Sequence, residues 1–406
     1  MTPQRVLFVA EAVTLAHVGR MVSLAAGLDR ARFEPVFAWD DRFNKIVGPL
    51  PGPWFPLASF STALFLERLR QGKPAYDFET LDRYVSDELE LFRRTRPSFV
   101  VGDTRLSLAV SAQRAGIPFL NVVNAHWSPY AATRWVVPEW GVVDRLGVSL
   151  GQTIFNLLRP LYFRAYAKGF NRLLRKWGQR GIGADLRKTY CAGDRTLYPD
   201  LPEIVSTRGL PSTHRYLGPV AWSPSVPLPE NITAQSPNKK TVFIALGTSG
   251  NPNALPAILE GLGKRPLRVF VATGPDRDIR NPAPGVLELH PAPYIPGDVA
   301  AKAADLVIHN GGSGGINQCL LAGVPFLGVA SNLDQFSSMF FAERAGLGKT
   351  IRGDRVSPAG IARAAEELLD DPAWKARAVS MRAIARSYRP SDILMEELDK
   401  AGGTLS

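Results

Sequence analysis

Cysteine is scarce in this chain. Of 406 residues only Cys191 and Cys319 are cysteines, and they are far apart and not spaced for a metal or a redox pair. A disulfide-stapled framework is thereby excluded, and a reducing cytoplasm is the expected compartment. No window of 18 residues lacks charge, proline and polar groups together, so no membrane-spanning helix is expected. The apolar run VLFVA at 6–10 is too short for a signal-peptide core, and no small-residue cleavage site follows it. The acid pairs Asp40–Asp41 and Asp370–Asp371 end a predicted strand and a predicted helix, which favours turn or surface positions over a metal site. No metal is expected. Acids are also sparse between Gly141 and Tyr190, where ten Lys and Arg face two acids, Asp144 and Asp185. A solvated helical face accounts for this imbalance as well as attraction to an anionic surface does, whether lipid or nucleic acid.

What is present is ordinary for a globular protein: 45% hydrophobic residues and 9% aromatics. The length favours two domains. In the first half, apolar runs at 6–10, 33–38, 99–102 and 118–124 alternate with helix-compatible segments such as 78–94. That rhythm predicts a doubly wound parallel sheet. A second series follows at 241–246, 267–272, 286–289, 305–309 and 326–330. Between them, 221–240 is rich in proline, serine and asparagine and is the best linker candidate. From Ile154 to Trp177 a helical pattern recurs at Ile154, Leu157, Leu158, Leu161, Leu173 and Leu174, with a kink expected at Pro160. The stretch 127–140 reads as a long aromatic loop, and residues past Gly402 are expected to fray.

The most informative segment is His309 to Gln335. A buried strand, DLVIH, runs into a glycine cluster, a helix-compatible stretch and a second apolar run ending at Asn332, Asp334 and Gln335. Gly311, Gly312, Gly314 and Gly315 let a backbone approach a ligand closely. A helix starting near Ser313 directs its unpaired N–H groups to the same point, an anion site. Ligands of parallel sheets sit beyond the carboxyl ends of the strands. Phosphate donors at one strand end and a carboxylate and amide at its neighbour suit a nucleotide sugar. Gly247, Thr248, Ser249 and Gly250 follow another strand, where N–H and hydroxyl groups can contact phosphate; a simple turn is the alternative.

This segment resembles the donor signature of glycosyltransferases with the GT-B fold, the group of UDP-, macrolide, glycopeptide, sterol and rhamnosyl glycosyltransferases. The resemblance is strong over Thr241–Thr350 and weaker elsewhere. It implies two Rossmann-like domains, 1–220 for the acceptor and 241–378 for the donor. It also implies a C-terminal stretch, 379–406, returning to the first domain, with the helical segment Pro372 to Tyr388 making the crossing. It assigns Thr248 and Ser249, with His309, Asn310, Gly311, Gly312, Ser313 and Gly314, to the donor diphosphate. Tyr294 and Ile295 fall at the nucleotide base, Gln318 at the ribose, and Asp334 and Gln335 at the sugar hydroxyls. This chain departs from the best-known branch in three places: Asn310 stands for the phosphate histidine, Gln318 for the ribose glutamate and Gly315 for serine or threonine. Asparagine still donates to phosphate, and glutamine still accepts from a hydroxyl.

On the acceptor side, the resemblance places the catalytic base at His17 in AHVGRM. Ala16 and Arg20 stand where the family has glycine and proline. Asp103, after the strand FVVG, matches the partner aspartate; an N-cap for the next helix is its alternative role. An imidazole near pH 7 suits removal of a hydroxyl proton, and a carboxylate behind it fixes the tautomer. His126 is the competing histidine. With Trp127 and Tyr130 it opens an aromatic loop that can line a pocket for a hydrophobic or lipid acceptor. The expected function is therefore inverting, metal-independent hexosyl transfer from a nucleotide-diphosphate sugar, UDP first and dTDP next. No cofactor is expected beyond that co-substrate, and no nucleic acid. The basic 141–190 segment permits peripheral attachment to an anionic membrane, at its inner face. The alternatives are a nucleotide-sugar epimerase on the same scaffold, for which only Asp334 offers an acid near the sugar, and a non-catalytic basic membrane or nucleic-acid binder.

Overall fold

A computed structural model describes residues 2–71, 73–234, 238–275 and 277–403. The chain divides into two compact units: Met1–Thr133 with Trp140–Val220 and Arg389–Ser406, and Arg134–Glu139 with Ala221–Tyr388.

The first unit is built on a seven-stranded parallel sheet. Its strands are β1 (Gln4–Ala10), β2 (Phe33–Trp39), β3 (Trp54–Pro56), β4 (Phe99–Asp103), β5 (Phe119–Val122), β6 (Arg195–Tyr198) and β7 (His214–Tyr216), ordered β3-β2-β1-β4-β5-β6-β7. Helices cover a parallel sheet on both faces, so its central strands are apolar throughout; Val6 to Ala10 are all buried. Its helices are α1 (Leu15–Ala26), α2 (Asn44–Val47), α3 (Thr62–Arg70), α4 (Phe78–Thr95), α5 (Leu108–Ala115), α6 (Gly141–Lys176) and α7 (Leu186–Tyr190). Strand order reverses between β1 and β4, and a switch point of this kind opens a crevice at the carboxyl ends of the two strands. The loops that carry His17 and Asp103 leave from those two ends.

The second unit repeats the plan without repeating the sequence. Strands β8 (Lys240–Ala245), β9 (Leu267–Ala272), β10 (Leu287–Ala292), β11 (Leu306–His309), β12 (Phe326–Ala330) and β13 (Gly348–Arg352) are all parallel, ordered β10-β9-β8-β11-β12-β13. Its helices are α8 (Leu255–Leu262), α9 (Gly297–Ala303), α10 (Ser313–Ala322), α11 (Leu333–Arg344), α12 (Pro358–Asp370) and α13 (Pro372–Ser387). One face of the sheet packs Val242, Ile244, Val269, Ile308 and Leu327 against Ile258 and Ile361. Fully burying each such side chain contributes roughly 1.5–3 kcal/mol. The switch point falls between β8 and β11, which brings the loop after Ala245 beside the loop after His309.

Two expectations are corrected, on the crossing helix and on Pro160. The helix over Pro372–Ser387 stays with the second unit; the following helix, α14 (Pro390–Gly403), belongs to the first. The reason is a break at Tyr388–Arg389, before Pro390, where a residue preceding proline is turned out of the helical region. The expected linker begins where the units divide, at 220/221, and part of it packs on the second unit: Arg268 donates to the carbonyls of Asn231 (3.2 Å) and Ala234 (2.5 Å), and Ile232 is buried. In α6 the residue with non-helical backbone is Gly147 (φ 78°), not Pro160. Glycine adopts that conformation without a Cβ penalty. The apolar pattern of α6 also splits by face. Phe155, Phe163, Ala167, Phe170 and Leu174 are buried, whereas Leu157 is 76% and Leu161 65% exposed, with Leu158 half-exposed. Expected fraying past Gly402 concerns Thr404 onward, outside the described residues; Gly403 still ends a helix. Among the described residues no helix is long and apolar enough to cross a membrane.

Candidate active site

In the first unit, His17 sits in the first turn of α1 and Asp103 is the last residue of β4. Parallel pairing sets Ala10 opposite Asp103, so the strand ends are level and the loop from β1 carries His17 over the carboxylate. His17 Nδ1 lies 3.0 Å from Asp103 Oδ1. Asp103 is buried and His17 keeps 20% of its side chain exposed. An ionised carboxylate only accepts, so Nδ1 carries the proton, and in the neutral ring Nε2 is the nitrogen with the lone pair. Thr104 adds a hydroxyl hydrogen bond to Asp103 Oδ1 at 2.8 Å. It does so from a left-handed backbone (φ 60°), uncommon for a non-glycine residue. The other carboxylate oxygen, Oδ2, accepts from Arg20 Nη1 at 2.9 Å. Burial pushes the Asp103 carboxyl up; Arg20 and then His17 outweigh it, and the group ends below its ordinary value. Asp103 is thus no helix cap, since α5 starts only at Leu108.

The aromatic loop is placed differently from expectation. His126 is 1% exposed in a short 3-10 turn, so it presents almost no surface to a sugar acceptor. Burial follows from its place directly after the inner strand β5, beside Asp200, whose carboxylate accepts from Ala125 N–H at 2.7 Å. Trp127 packs its ring 4.6 Å from that of Tyr190, and Tyr130 stands edge-on to His214 at 5.3 Å. Both remain half-buried, so they keep some surface for a ligand.

In the second unit, three strand-end loops meet at Ser249. Asn310 Nδ2 donates to Ser249 Oγ at 3.1 Å, and Gln335 Nε2 donates to the Ser249 carbonyl at 3.2 Å. The loops after β8, β11 and β12 are therefore one hydrogen-bonded unit. Thr248 stays exposed beside it. The glycine turn is closed by its own neighbours: Gly311 N–H donates to His309 Nδ1 (2.9 Å) and Gly312 N–H to Asn310 Oδ1 (3.0 Å). Those two N–H groups are therefore engaged within the loop. Gly312 is the N-cap of α10 and its carbonyl accepts from Ile316 N–H at 3.2 Å, so the N-terminal turn of the helix, Ser313 to Ile316, starts directly beyond the glycine turn.

His309 is corrected from donor contact to scaffold. It is buried, its ring packs against Phe326, and burial holds its imidazole down at about 3. It is neutral near pH 7 and offers no cation to phosphate. Its place explains Gly315. A Cβ at Gly315 would lie 2.9 Å from His309 Cγ, closer than carbon atoms pack, so no larger residue fits here unless the His309 ring shifts.

Gln335 is also corrected. It is the N3 residue of a capping box at α11, and its Oε1 accepts from Ser331 N–H (2.8 Å) and Asn332 N–H (3.3 Å). With both ends of the carboxamide engaged and the residue buried, it is not available to a sugar hydroxyl in this conformation. Asp334, one residue earlier, is partly exposed in the same first turn. Gln318 sits against Gly297, and its amide nitrogen donates to the Trp222 carbonyl at 2.9 Å. Tyr294 is half-exposed, and the Ile295 side chain is buried, so any part Ile295 plays at a base falls to its backbone.

Sequence reasoning missed Arg20, Ser249 as the hub, and residues 134–139. Arg352 donates to the Val137 carbonyl (2.6 Å), and Glu139 N–H to the Ser331 carbonyl (3.0 Å), so this short stretch lies across the ends of β12 and β13. Arg20 was legible in one respect: it is three residues from His17, on the same helix face. The acid pairs have structural duties. Asp40 caps a turn and pairs with Arg42, Asp370 pairs with Arg265, and Asp371 caps α13. Among the described residues no cluster of three or more His, Cys, Asp or Glu is placed to hold a metal.

The solved structure of spinosyn rhamnosyltransferase SpnG complexed with thymidine diphosphate matches with a TM-score of 0.71. The identity is 17%, over 98% of this chain and 100% of that one. Two doubly wound parallel sheets with this likeness define the fold class as GT-B. A family model described as erythromycin biosynthesis protein CIII-like, C-terminal domain, matches residues 278–396. The chain is 40% identical over 388 residues to a PGL/p-HBAD biosynthesis glycosyltransferase of Mycobacterium tuberculosis, covering 95% of this chain and 89% of that protein. It is 39% identical over 379 residues to a PGL/p-HBAD biosynthesis rhamnosyltransferase of Mycobacterium bovis, covering 93% and 83%. The chain belongs to this family of glycosyltransferases and is itself a glycosyltransferase.

Proposed function

We propose that this glycosyltransferase moves a hexose from a nucleotide-diphosphate sugar to a hydroxyl of a hydrophobic or lipid acceptor, in one inverting step without a metal. The observation that carries the proposal is the His17–Asp103 pair at the β1/β4 switch point. His17 Nε2 takes the acceptor hydroxyl proton as the oxygen bonds to the anomeric carbon. The bond from that carbon to the diphosphate oxygen breaks, and the nucleoside diphosphate leaves with the electron pair. Attack opposite the leaving group inverts an α-linked donor. Negative charge grows on the β-phosphate, where the N-terminus of α10 supplies oriented N–H groups and the positive end of a helix dipole. Asp103 holds the tautomer and stabilises the imidazolium. No cofactor is needed beyond the donor.

Between the two donors expected, the thymidine diphosphate in the SpnG structure favours dTDP over UDP, and a relative named rhamnosyltransferase favours a deoxyhexose. The half-buried rings of Trp127 and Tyr130 support a hydrophobic acceptor. The exposed leucines of α6, with Arg164 and Lys168 exposed on the same helical segment, support peripheral attachment to an anionic membrane.

A thermal-shift panel with UDP-, dTDP- and GDP-sugars tests the donor, because a bound ligand stabilises by mass action, by about 2.7 kcal/mol at a hundredfold excess over Kd. Stabilisation by dTDP- or UDP-sugars is expected, and no shift with any of them ends the donor proposal. The same panel on His17→Ala separates binding from chemistry. The shift should persist while transfer falls by roughly 10² to 10⁴; unchanged transfer removes His17 from the mechanism.

A further inference from the structure

The carboxylate behind His17 is shared. Asp103 Oδ1 takes His17 and the Thr104 hydroxyl, while Oδ2 takes Arg20 Nη1 at 2.9 Å. Arg20 is buried and reaches further: its Nη2 donates to Asn124 Oδ1 at 3.3 Å. The Asn124 amide in turn donates to both oxygens of Asp200, at 3.1 and 3.3 Å. One guanidinium on α1 thus links a carboxylate at the end of β4 to a second carboxylate beyond β6. The charged groups near the pair include Arg20 on α1, Asp200 with His126 across Asn124, and the buried Glu11–Arg105–Glu88 cluster, whose Glu11 N–H donates to the Asp103 carbonyl at 3.1 Å. Of these, Arg20 is the cation that touches Asp103.

Sharing has a consequence for the proton. A buried carboxylate with a single cationic partner draws that partner's proton strongly, since the charge has no water to spread into. If His17 were that sole partner, the pair would take up its first proton at high pH. It makes no difference whether the proton then rests on the ring or on the carboxyl, because the two titrate as one unit. A protonated imidazole is no base. Arg20 supplies a permanent positive charge to the same carboxylate and so competes with the proton.

We propose that Arg20 is a positioning residue that fixes which Asp103 oxygen faces His17 and keeps the pair's first proton uptake low enough for His17 to meet the acceptor unprotonated. This rests on the reading of His17 as base, but its test does not. The chain has five histidines, so a histidine-labelled full-length protein gives few imidazole NMR signals, and His17→Gln assigns one of them. The midpoint of that signal is followed against pH in the parent chain, in Arg20→Met and in Arg20→Lys. Loss of the charge should raise the His17 midpoint by about one pH unit or more, the size of effect a contacting opposite charge has. Lysine keeps the charge but not the two-pronged geometry, so its midpoint should stay within about half a unit of the parent while transfer drops. Arg20→Gln serves if Arg20→Met does not fold, and the His290 signal, from the other unit, should not move in any variant. An unmoved His17 midpoint in the neutral variants overturns the proposal. So does a lysine variant that shifts as far as the methionine one. If instead the midpoint moves as expected but His17→Ala transfers sugar normally, the base assignment fails and the Arg20–Asp103 linkage stands.

Discussion

A single side chain, His309, shows how burial converts a candidate ligand into scaffold. Its Nδ1 accepts from Gly311 N–H, its ring fills the space over Gly315, and it is buried in the neutral form, held down from 6.5 to about 3. The sign of the pH effect follows. Between those values the unfolded chain binds a proton on this residue that the folded chain does not, so stability present above about 6.5 is lost as pH falls. The loss from one such group is roughly 1 kcal/mol per pH unit. His309→Gln keeps an acceptor for Gly311 but does not titrate. Urea unfolding at pH 7 and pH 5.5 should therefore show the parent's advantage over His309→Gln shrink by about 1 kcal/mol at the lower pH. An advantage independent of pH would mean that the imidazole protonates in place. The family resemblance, together with the glycine cluster, put His309, Asn310 and the glycines at the phosphate. It could not say which side chains turn inward, because that depends on rotamers chosen against Phe326 and Ser249, both distant in sequence.

Among elements, α6 separates what periodicity can and cannot say. The repeat of apolar residues predicts a helix, and a helix forms. Periodicity assigns residues to faces but says nothing about whether a face is covered. The face with Phe155, Phe163, Phe170 and Leu174 is covered by the first unit; the face with Leu157 and Leu161 is open to solvent. Scattered exposed leucines need no explanation, but four exposed leucines follow the Gly147 break on one helical segment, at 150, 157, 158 and 161, a spacing that puts them on one side of it. Arg159 and Arg164 lie in the same stretch, which matches an interfacial helix on anionic lipid. Co-sedimentation with vesicles containing phosphatidylserine should be strong at low salt and fall at 1 M salt, where the Debye length is about 3 Å. Leu157→Gln with Leu161→Gln should weaken it at least tenfold, since each leucine buried in the interface contributes on the order of 1–2 kcal/mol. Equal binding to neutral vesicles, or no effect of the double substitution, would remove α6 as the attachment surface.

At the scale of the whole molecule, the two βα series were readable from alternating apolar runs, because each strand and helix is a local pattern, whereas the switch points were not, because they depend on which strands pair. Chain paths that join distant segments were not readable. The chain passes between units four times, at 133/134, 139/140, 220/221 and 388/389. Two of those passages bracket a six-residue stretch whose place is set by Arg352 and Ser331, some 200 residues away. The last brings α14 to the first unit. There Leu394 and Leu398 are fully buried, Glu397 accepts from Arg195 and from Arg215 (2.9 Å), and Ser391 Oγ donates to the Leu24 carbonyl at 3.0 Å. Ending the chain after Tyr388 removes all of these. Two buried leucines alone amount to about 3–6 kcal/mol, against a typical domain stability of about 5–15 kcal/mol, and Arg195 loses its buried counter-charge as well. The truncated first unit should be marginal, while the second, whose core lies within 221–388, should be untouched. Hydrogen exchange read separately for each unit distinguishes the two. Amides of β1 should lose most of their protection in the truncated chain, and amides of β8 should keep theirs. Equal protection of β1 with and without α14 would show that the returning helix is dispensable to the fold of the first unit.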